Sequence, residues 1–312
     1  MLDVLYYPVS LVMRLWHDLF ASLLGPASGL AWALSVVFLV LTVRALLLRP
    51  TWTRMRAARI GRALTPQLTE LRERHRGDPR ALAEATTQLH RRHGSSPVAG
   101  LGTALLQIPV FVALLHVLRS FNRPGLSFEQ NAAIANYAFG PEQVASFLQA
   151  RLFGAPLSAW MTMPAEQLAS FGGAVVGSGA VAAVVVPLAV LAAVATHLSM
   201  RFARTDVTGQ PSGVAQAMAM LPWVAPIGVL AGGLLFPVPV ALLLYWATGG
   251  VATLVVQVVL GRMLDRRPPP VLEPVAAAPA VRAPRPGAKP VGRSTGRGGG
   301  RRGRRTGRGH GR

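Results

Sequence analysis

Residues 29–48 form an apolar run broken only by small hydroxyls and by Arg44. Twenty residues in an α-helix rise about 30 Å, the thickness of a bilayer's hydrocarbon core. Four more runs of similar length follow: 97–118, which contains Gln107 and Pro109; 172–200, with Pro187; 217–236, with Pro222 and Pro226; and 240–260. In hydrocarbon a backbone has no water to bond, so each run must pair its own N–H and C=O groups, and a separate run does so as a helix. The chain is therefore predicted to be an all-α integral membrane protein built as a five-span helical bundle.

The charge is segregated in the same way. Only 14% of residues are charged, and 32 basic side chains stand against 12 acidic ones. Alternating the five spans places 51–96, 201–216 and the C-terminal segment on one side, with 27 of the 32 basic residues if Arg49 is included. Arg14, Arg119, Arg123 and Arg151 fall on the other side, and Arg44 lies within a span. Basic residues stay cytoplasmic, so the expected topology is N-terminus outside and C-terminus inside, in a bacterial cytoplasmic membrane. The opening Met1-Leu2-Asp3 has no basic n-region, which predicts no cleavable signal peptide.

Between the spans the pattern changes. Residues 1–28 are read as an extracytoplasmic amphipathic helix, centred on 9–23, lying on the membrane surface. The spanning core is taken as 29–267. Within it, 51–94 reads as a cytoplasmic helical hairpin, with Leu64, Leu68 and Leu71 at helical spacing, a bend at Pro66, and a turn at Gly77-Asp78-Pro79. Residues 119–170 read as a long extracytoplasmic loop of weak pattern. Residues 268–312 are rich in Pro, Ala, Gly and Arg and cannot build an apolar core, so they are expected to be a disordered basic tail.

Few residues suggest chemistry. The chain has no cysteine, which excludes disulfides, thiolate metal sites and thiol nucleophiles. Its seven histidines are scattered, and no span carries paired carboxylates. His90 and His93 share a helix face, but Arg91 and Arg92 beside them disfavour a cation, and a solvated face is the expectation. No enzyme and no cofactor are expected. Arg44 stands out, because a guanidinium inside hydrocarbon costs roughly 2.5–3.5 kcal/mol on insertion scales. Snorkelling to the cytoplasmic headgroups and facing a watery cavity are both open for it. Gln107, Thr196, His197 and Gln257 are each read as inter-helix glue; together they suggest a polar groove opening to the cytoplasm.

Three stretches carry a resemblance. The first is Leu39-Val40-Leu41-Thr42-Val43-Arg44 with Leu48-Arg49-Pro50. The second is Leu89-His90-Arg91-Arg92-His93-Gly94-Ser95-Ser96-Pro97 running into Leu105-Leu106-Gln107-Ile108-Pro109-Val110-Phe111. The third is Phe236-Pro237-Val238-Pro239 through Leu244-Tyr245-Trp246 to Gln257. In order and spacing, over about residues 6–263, they resemble the YidC/Oxa family of membrane protein insertases. Ser96 stands where the family commonly has Asn, Gly102-Thr103-Ala104 where it has Cys-Leu-Pro or similar, and Gly249-Gly250 where Asn usually follows Tyr-Trp. These departures point to a divergent paralogue, without the large periplasmic domain of some relatives.

The resemblance implies an insertase and chaperone that moves nascent hydrophobic segments into the bilayer through a polar groove open to the cytoplasm. It implies a substrate groove formed by Arg44, Gln107, Thr196, Trp246 and Gln257. The hairpin arginines Arg54, Arg56, Arg59, Arg72, Arg91 and Arg92 would recruit substrate. The tail arginines Arg301, Arg302, Arg304, Arg305 and Arg308 would contact the ribosome through RNA phosphates. Expected partners are nascent membrane proteins, the ribosome, membrane lipids and the Sec translocon. Two other readings stay open on the residues alone: a secondary transporter or channel, and a membrane tether for ribosomes or RNA.

Overall fold

The computed structural model describes residues 3–94, 99–123, 125–171, 176–203 and 212–268; the side chains of 3, 99–108, 212–215 and 217–218 lie outside that description. Along the described residues run α1 (Asp3–Leu24), α2 (Gly29–Leu46), α3 (Leu48–Ala63), α4 (Thr65–Arg74), α5 (Pro79–Arg92) and α6 (Ala99–Arg119). Then come α7 (Phe128–Ala132), α8 (Pro141–Gln149), β1 (Arg151–Leu152), β2 (Ala155–Pro156) and α9 (Ala165–Ala169). The chain continues with α10 (Ser178–Ala203), α11 (Ser212–Leu235) and α12 (Val240–Asp265).

The fold is that of an all-α, multi-pass membrane protein. By length and composition α2, α10 and α12 are able to cross a bilayer. The apolar helices α6, with 21 residues, and α11, with 24, reach about 30 and 36 Å and complete the five. On α12, Val251, Val255, Val259 and Met263 repeat every four residues and all are exposed. In water such a stripe would drive aggregation; in lipid it is the solvated face.

α12 is the centre of the bundle, packing against α10, α2, α3 and α6, while α11 packs on α10. Small residues set the spacing. A Cβ added at Gly250 would lie 3.0 Å from the Ala195 Cβ, and one at Gly233 would lie 2.8 Å from Leu243 Cδ2. Lipid offers no hydrophobic drive between helices, so close van der Waals approach of this kind is what holds them.

α1 begins six residues earlier than its apolar pattern suggests, at Asp3. Tyr6, Ser10, Met13 and His17 form its buried face against the bundle, and Leu11, Leu15, Leu19 and Leu23 its exposed one. Tyr6 extends the buried stripe by stacking on His116 of α6, with 4.3 Å between ring centroids.

The segment read as a two-helix hairpin holds three helices. α3 follows α2 after Leu47 alone and packs against α6 and α12. The chain breaks at Leu64, and Pro66 takes an opening position of α4, where its missing N–H costs nothing. The turn is as expected. Gly77 has φ +92°, and Asp78 Oδ1 accepts from the N–H groups of Arg80 and Ala81 at 3.1 and 3.0 Å.

The 119–170 segment is an ordered cap on the face where α2 and α12 begin. Its hub is Trp32, fully buried and stacked on His17 at 3.7 Å, with Phe147 and Phe139 at 5.1 and 5.5 Å. The Trp32 Nε1–H donates to Ser146 Oγ at 3.0 Å. β1 and β2 pair antiparallel through a two-residue turn, Phe153-Gly154, with φ of +49° and +88°. That sign pattern matches the right-handed twist of a short hairpin. Two free N–H groups at the start of α12 are satisfied here: Val240 donates to Ala159 O at 2.8 Å and Ala241 to Leu157 O at 3.0 Å. The cap's helices are nine residues or shorter, too short to show a helical period in sequence.

Candidate functional site

Arg44 sits in the last turn of α2, half-buried. Its Nη2 donates to the Gly249 carbonyl of α12 at 3.2 Å. The same carbonyl accepts from the Thr253 hydroxyl at 2.6 Å. Tyr245 and Arg54 lie within electrostatic reach of the guanidinium. The carbonyl dipole offsets part of the cost of removing the charge from water. A guanidinium has five N–H donors, and this is the one hydrogen bond Arg44 makes to the described residues. Among the described residues its remaining donors have no acceptor, and a carboxylate has the geometry to take them.

Beside Arg44 lies a cleft of ≈ 520 Å³ between α2, α10 and α12. Leu41, Ala45, Leu188, Leu191, Thr248 and Val255 are among its walls. Leu41, Leu191 and Val255 among them are exposed, so the cleft is open rather than enclosed. Arg44 is its charged wall and Thr248 its one uncharged polar side chain among the described residues.

Of the other expected groove residues, Thr196, Trp246 and Gln257 do not line this cleft. At 100° per residue, Trp246 and Gln257 share one face of α12, and Leu244, Thr248, Val251 and Val255 occupy the opposite one. Trp246 lies between α6 and α11: its ring stacks on Phe111 at 5.9 Å, and a Cβ on Gly232 would touch it at 3.5 Å. Gln257 Oε1 is buried with no hydrogen-bond partner among the described residues. Thr196 turns its hydroxyl back to Ala192 O at 2.7 Å, within its own helix. The Gln107 side chain lies outside the described residues.

His197 explains itself through a proline. Pro226 has no N–H to give the Pro222 carbonyl one turn earlier in α11. His197 ring Nδ1 lies 2.7 Å from that carbonyl, and the ring packs on Trp223 at 4.7 Å. A carbonyl can only accept, so Nδ1 carries the proton, and His197 ties α10 to α11.

The hairpin arginines divide. Arg56, Arg91 and Arg92 are exposed, and Arg54 and Arg72 are half-buried. Arg59 is already engaged: its guanidinium donates to Leu264 O and, at 2.9 Å, to Arg267 O, closing the C-terminal end of α12. Arg267 in turn lies over the Trp52 ring at 4.9 Å. His90 is buried rather than solvated, and burial, with the charge of His93 behind it, holds its pKa below the ordinary histidine value. No cluster of three or more metal-ligating side chains occurs among the described residues. Arg301, Arg302, Arg304, Arg305 and Arg308 lie outside the described residues.

Residues 23–267 match the family model described as 60Kd inner membrane protein, a region that includes α2, the cleft and α12. The chain belongs to the YidC/Oxa family of membrane protein insertases. It is similar to the membrane protein insertase YidC of Mycolicibacterium paratuberculosis, 38% identical over 93% of this chain and 83% of the relative. The insertase of Mycobacterium tuberculosis is also 38% identical, over 93% of this chain and 80% of its own length. That of Corynebacterium glutamicum is 34% identical, over 86% and 66% respectively.

Within the YidC/Oxa frame, the departure at Gly249-Gly250 has a structural use. Gly250 lets α10 come close, and Gly249 lies beside Arg44, where a Cβ would meet Nη2 at 3.6 Å, an ordinary contact. Sequence reasoning missed the Gly249 carbonyl as an acceptor. The signal was present, since two adjacent glycines inside a helix cost roughly 0.5–1 kcal/mol each and need a packing reason.

Proposed function

We propose that the protein inserts nascent hydrophobic segments into the bacterial cytoplasmic membrane, with Arg44 holding an acidic flank while the apolar segment leaves through the lateral cleft. The observation that carries this reading is a half-buried guanidinium with donors unused among the described residues, set in the wall of an apolar cleft between spanning helices. The chain is oriented with its N-terminus outside and its C-terminus in the cytoplasm, following its arginine distribution. Arg56, Arg91 and Arg92 on the hairpin meet the substrate first, and the basic tail meets the ribosome. Gln257, on the face of α12 away from the cleft, is a further polar contact for the flank in this reading, together with Gln107. The Sec translocon and membrane lipids are further partners.

The energetics require no nucleotide and no covalent step. Burying about ten large apolar side chains of a substrate helix releases roughly 15–30 kcal/mol. One carboxylate carried through the bilayer centre costs roughly 2.5–3.5 kcal/mol on insertion scales. The drive exceeds the barrier for a short flank with one or two charges, provided a partner lowers the barrier along the way. Arg44 is that partner. The test is reconstitution of the purified protein in liposomes with a ribosome-released single-span substrate. Protease protection of the substrate's flank supports the reading; equal protection in protein-free liposomes defeats it.

A further inference from the structure

The cap carries one feature that insertion does not use. Phe153, at the tip of the β1–β2 hairpin, is 85% exposed, the most exposed large apolar side chain described. It also adopts φ +49°, a left-handed conformation that bulky residues rarely take. The hairpin turn holds the residue in that conformation and presents its ring almost wholly outside the protein, where a partner can take it up.

The position of the hairpin indicates which one. The backbone of Arg151 in β1 lies directly against Gly29, the first residue of α2: a Cβ on Gly29 would come within 1.8 Å of the Arg151 carbonyl oxygen. Just past β2, the Leu157 and Ala159 carbonyls close the first turn of α12. The hairpin is thus fixed at the level where two spans enter the hydrocarbon. Phe153 is two residues beyond Arg151, about 7 Å along a strand. The headgroup zone on each side of a bilayer is about 5–8 Å deep. The reach of the tip from the ends of these spans is thus comparable with the depth of that zone. Aromatic rings favour this layer.

We infer that Phe153 inserts into the lipid headgroup region at the end of the bundle where α2 and α12 begin, anchoring the cap to the bilayer surface. The partner is the bilayer itself, through its glycerol and upper acyl layer. The anchor keeps the cap level with the membrane, and through the Val240 and Ala241 bonds it steadies the start of α12.

The chain has no cysteine, so Phe153→Cys gives a single labelling site. The variant is labelled with the fluorophore NBD and placed in phosphatidylethanolamine–phosphatidylglycerol nanodiscs. NBD–glutathione serves as the aqueous reference. Phe153 removes little packing when replaced, and a detergent melt matching the parent's certifies the fold. The expected result has three parts: blue-shifted emission, iodide quenching reduced several-fold relative to the reference, and at least twofold quenching by lipid carrying a nitroxide at a shallow acyl position. Iodide quenching equal to the reference overturns the inference. So does shielding from iodide without any effect of the lipid nitroxide, which would place the ring against protein.

Discussion

The contact between Gly29 and Arg151 makes a demanding test, because a single methyl group probes it. Gly29→Ala puts a Cβ 1.8 Å from the Arg151 carbonyl oxygen and 2.8 Å from its backbone nitrogen. Ordinary contact begins near 3.4 Å, so β1 must move by more than an ångström or α2 must tilt. Both carriers are backbone, and neither yields as a side chain does. Overpacking of this kind typically costs about 1–3 kcal/mol, and the rigid partner puts this site at the upper end. Gly61→Ala is the control, since nothing lies within 4 Å of its added Cβ. In the last turn of α3 it should gain up to about 0.5–1 kcal/mol from helix propensity alone. The same chemical change is therefore expected to have opposite signs at two glycines. Thermal unfolding in one detergent, followed by intrinsic fluorescence, reads both. Gly29→Ala should melt below the parent and Gly61→Ala at or above it. If Gly29→Ala melts as high as Gly61→Ala, the cap is not seated on the start of α2 and the reasoning fails.

Other expectations concern the rest of the frame. Arg59→Met keeps the side-chain stem but removes both bonds to the end of α12. Charge-assisted bonds of this type are worth about 1.5–3 kcal/mol when buried, and partial exposure lowers the sum to about 1–3 kcal/mol. Hydrogen exchange in α3 and the last turn of α12 should accelerate by roughly tenfold for each 1.4 kcal/mol lost; unchanged exchange would show that the hairpin root is held elsewhere. Gly250→Leu should separate α10 from α12 and lower the melting temperature, whereas no change would contradict the 3.0 Å approach to Ala195. His17 is pushed below its ordinary value of 6.5 by burial, against smaller opposing effects of the Pro26 carbonyl and Asp18. Its neutral form is the folded one, so its contribution is present above pH 6.5 and is lost as the pH falls through and below that value. Exchange at residues 21–28 should therefore rise on acidification in the parent and stay flatter in His17→Phe; a rise on alkalinisation would reverse the sign and refute it.

The spans were legible because lipid leaves the backbone no choice but helix, and runs such as 240–260 declare themselves by length. The turn at Gly77-Asp78-Pro79 was legible because each residue type has one strongly preferred use there. The cap was not. Its helices are short, and its order comes from Trp32 meeting Phe139 and Phe147 more than a hundred residues away, a contact no local window contains. The proline in α11 shows the same limit. Sequence predicts that Pro226 frees a carbonyl, but only the packing of α10 on α11 shows His197 taking it up. For the site, Arg44 was evident from its cost in hydrocarbon. Its acceptor is a backbone atom of Gly249, and backbone atoms carry no side-chain signature. The separation of Trp246 and Gln257 from the cleft follows from helical phase along α12, readable once the face turned to α2 is known.

The role of Arg44 can be tested by varying the substrate and the protein together. Two single-span substrates are prepared, one with two acidic residues in its short flank and one with a neutral flank of equal length. Each is offered to liposomes containing the parent, Arg44→Lys or Arg44→Ala, and protease protection of the flank is measured. A charge pair 4 Å apart at the effective dielectric of a protein boundary is worth about 4 kcal/mol, of which desolvation leaves a part. The account predicts that Arg44→Ala inserts the acidic-flank substrate at least tenfold less well and the neutral one within twofold of the parent, with Arg44→Lys in between. Equal loss for both substrates, or full insertion of the acidic one by Arg44→Ala protein whose melt matches the parent's, would contradict it.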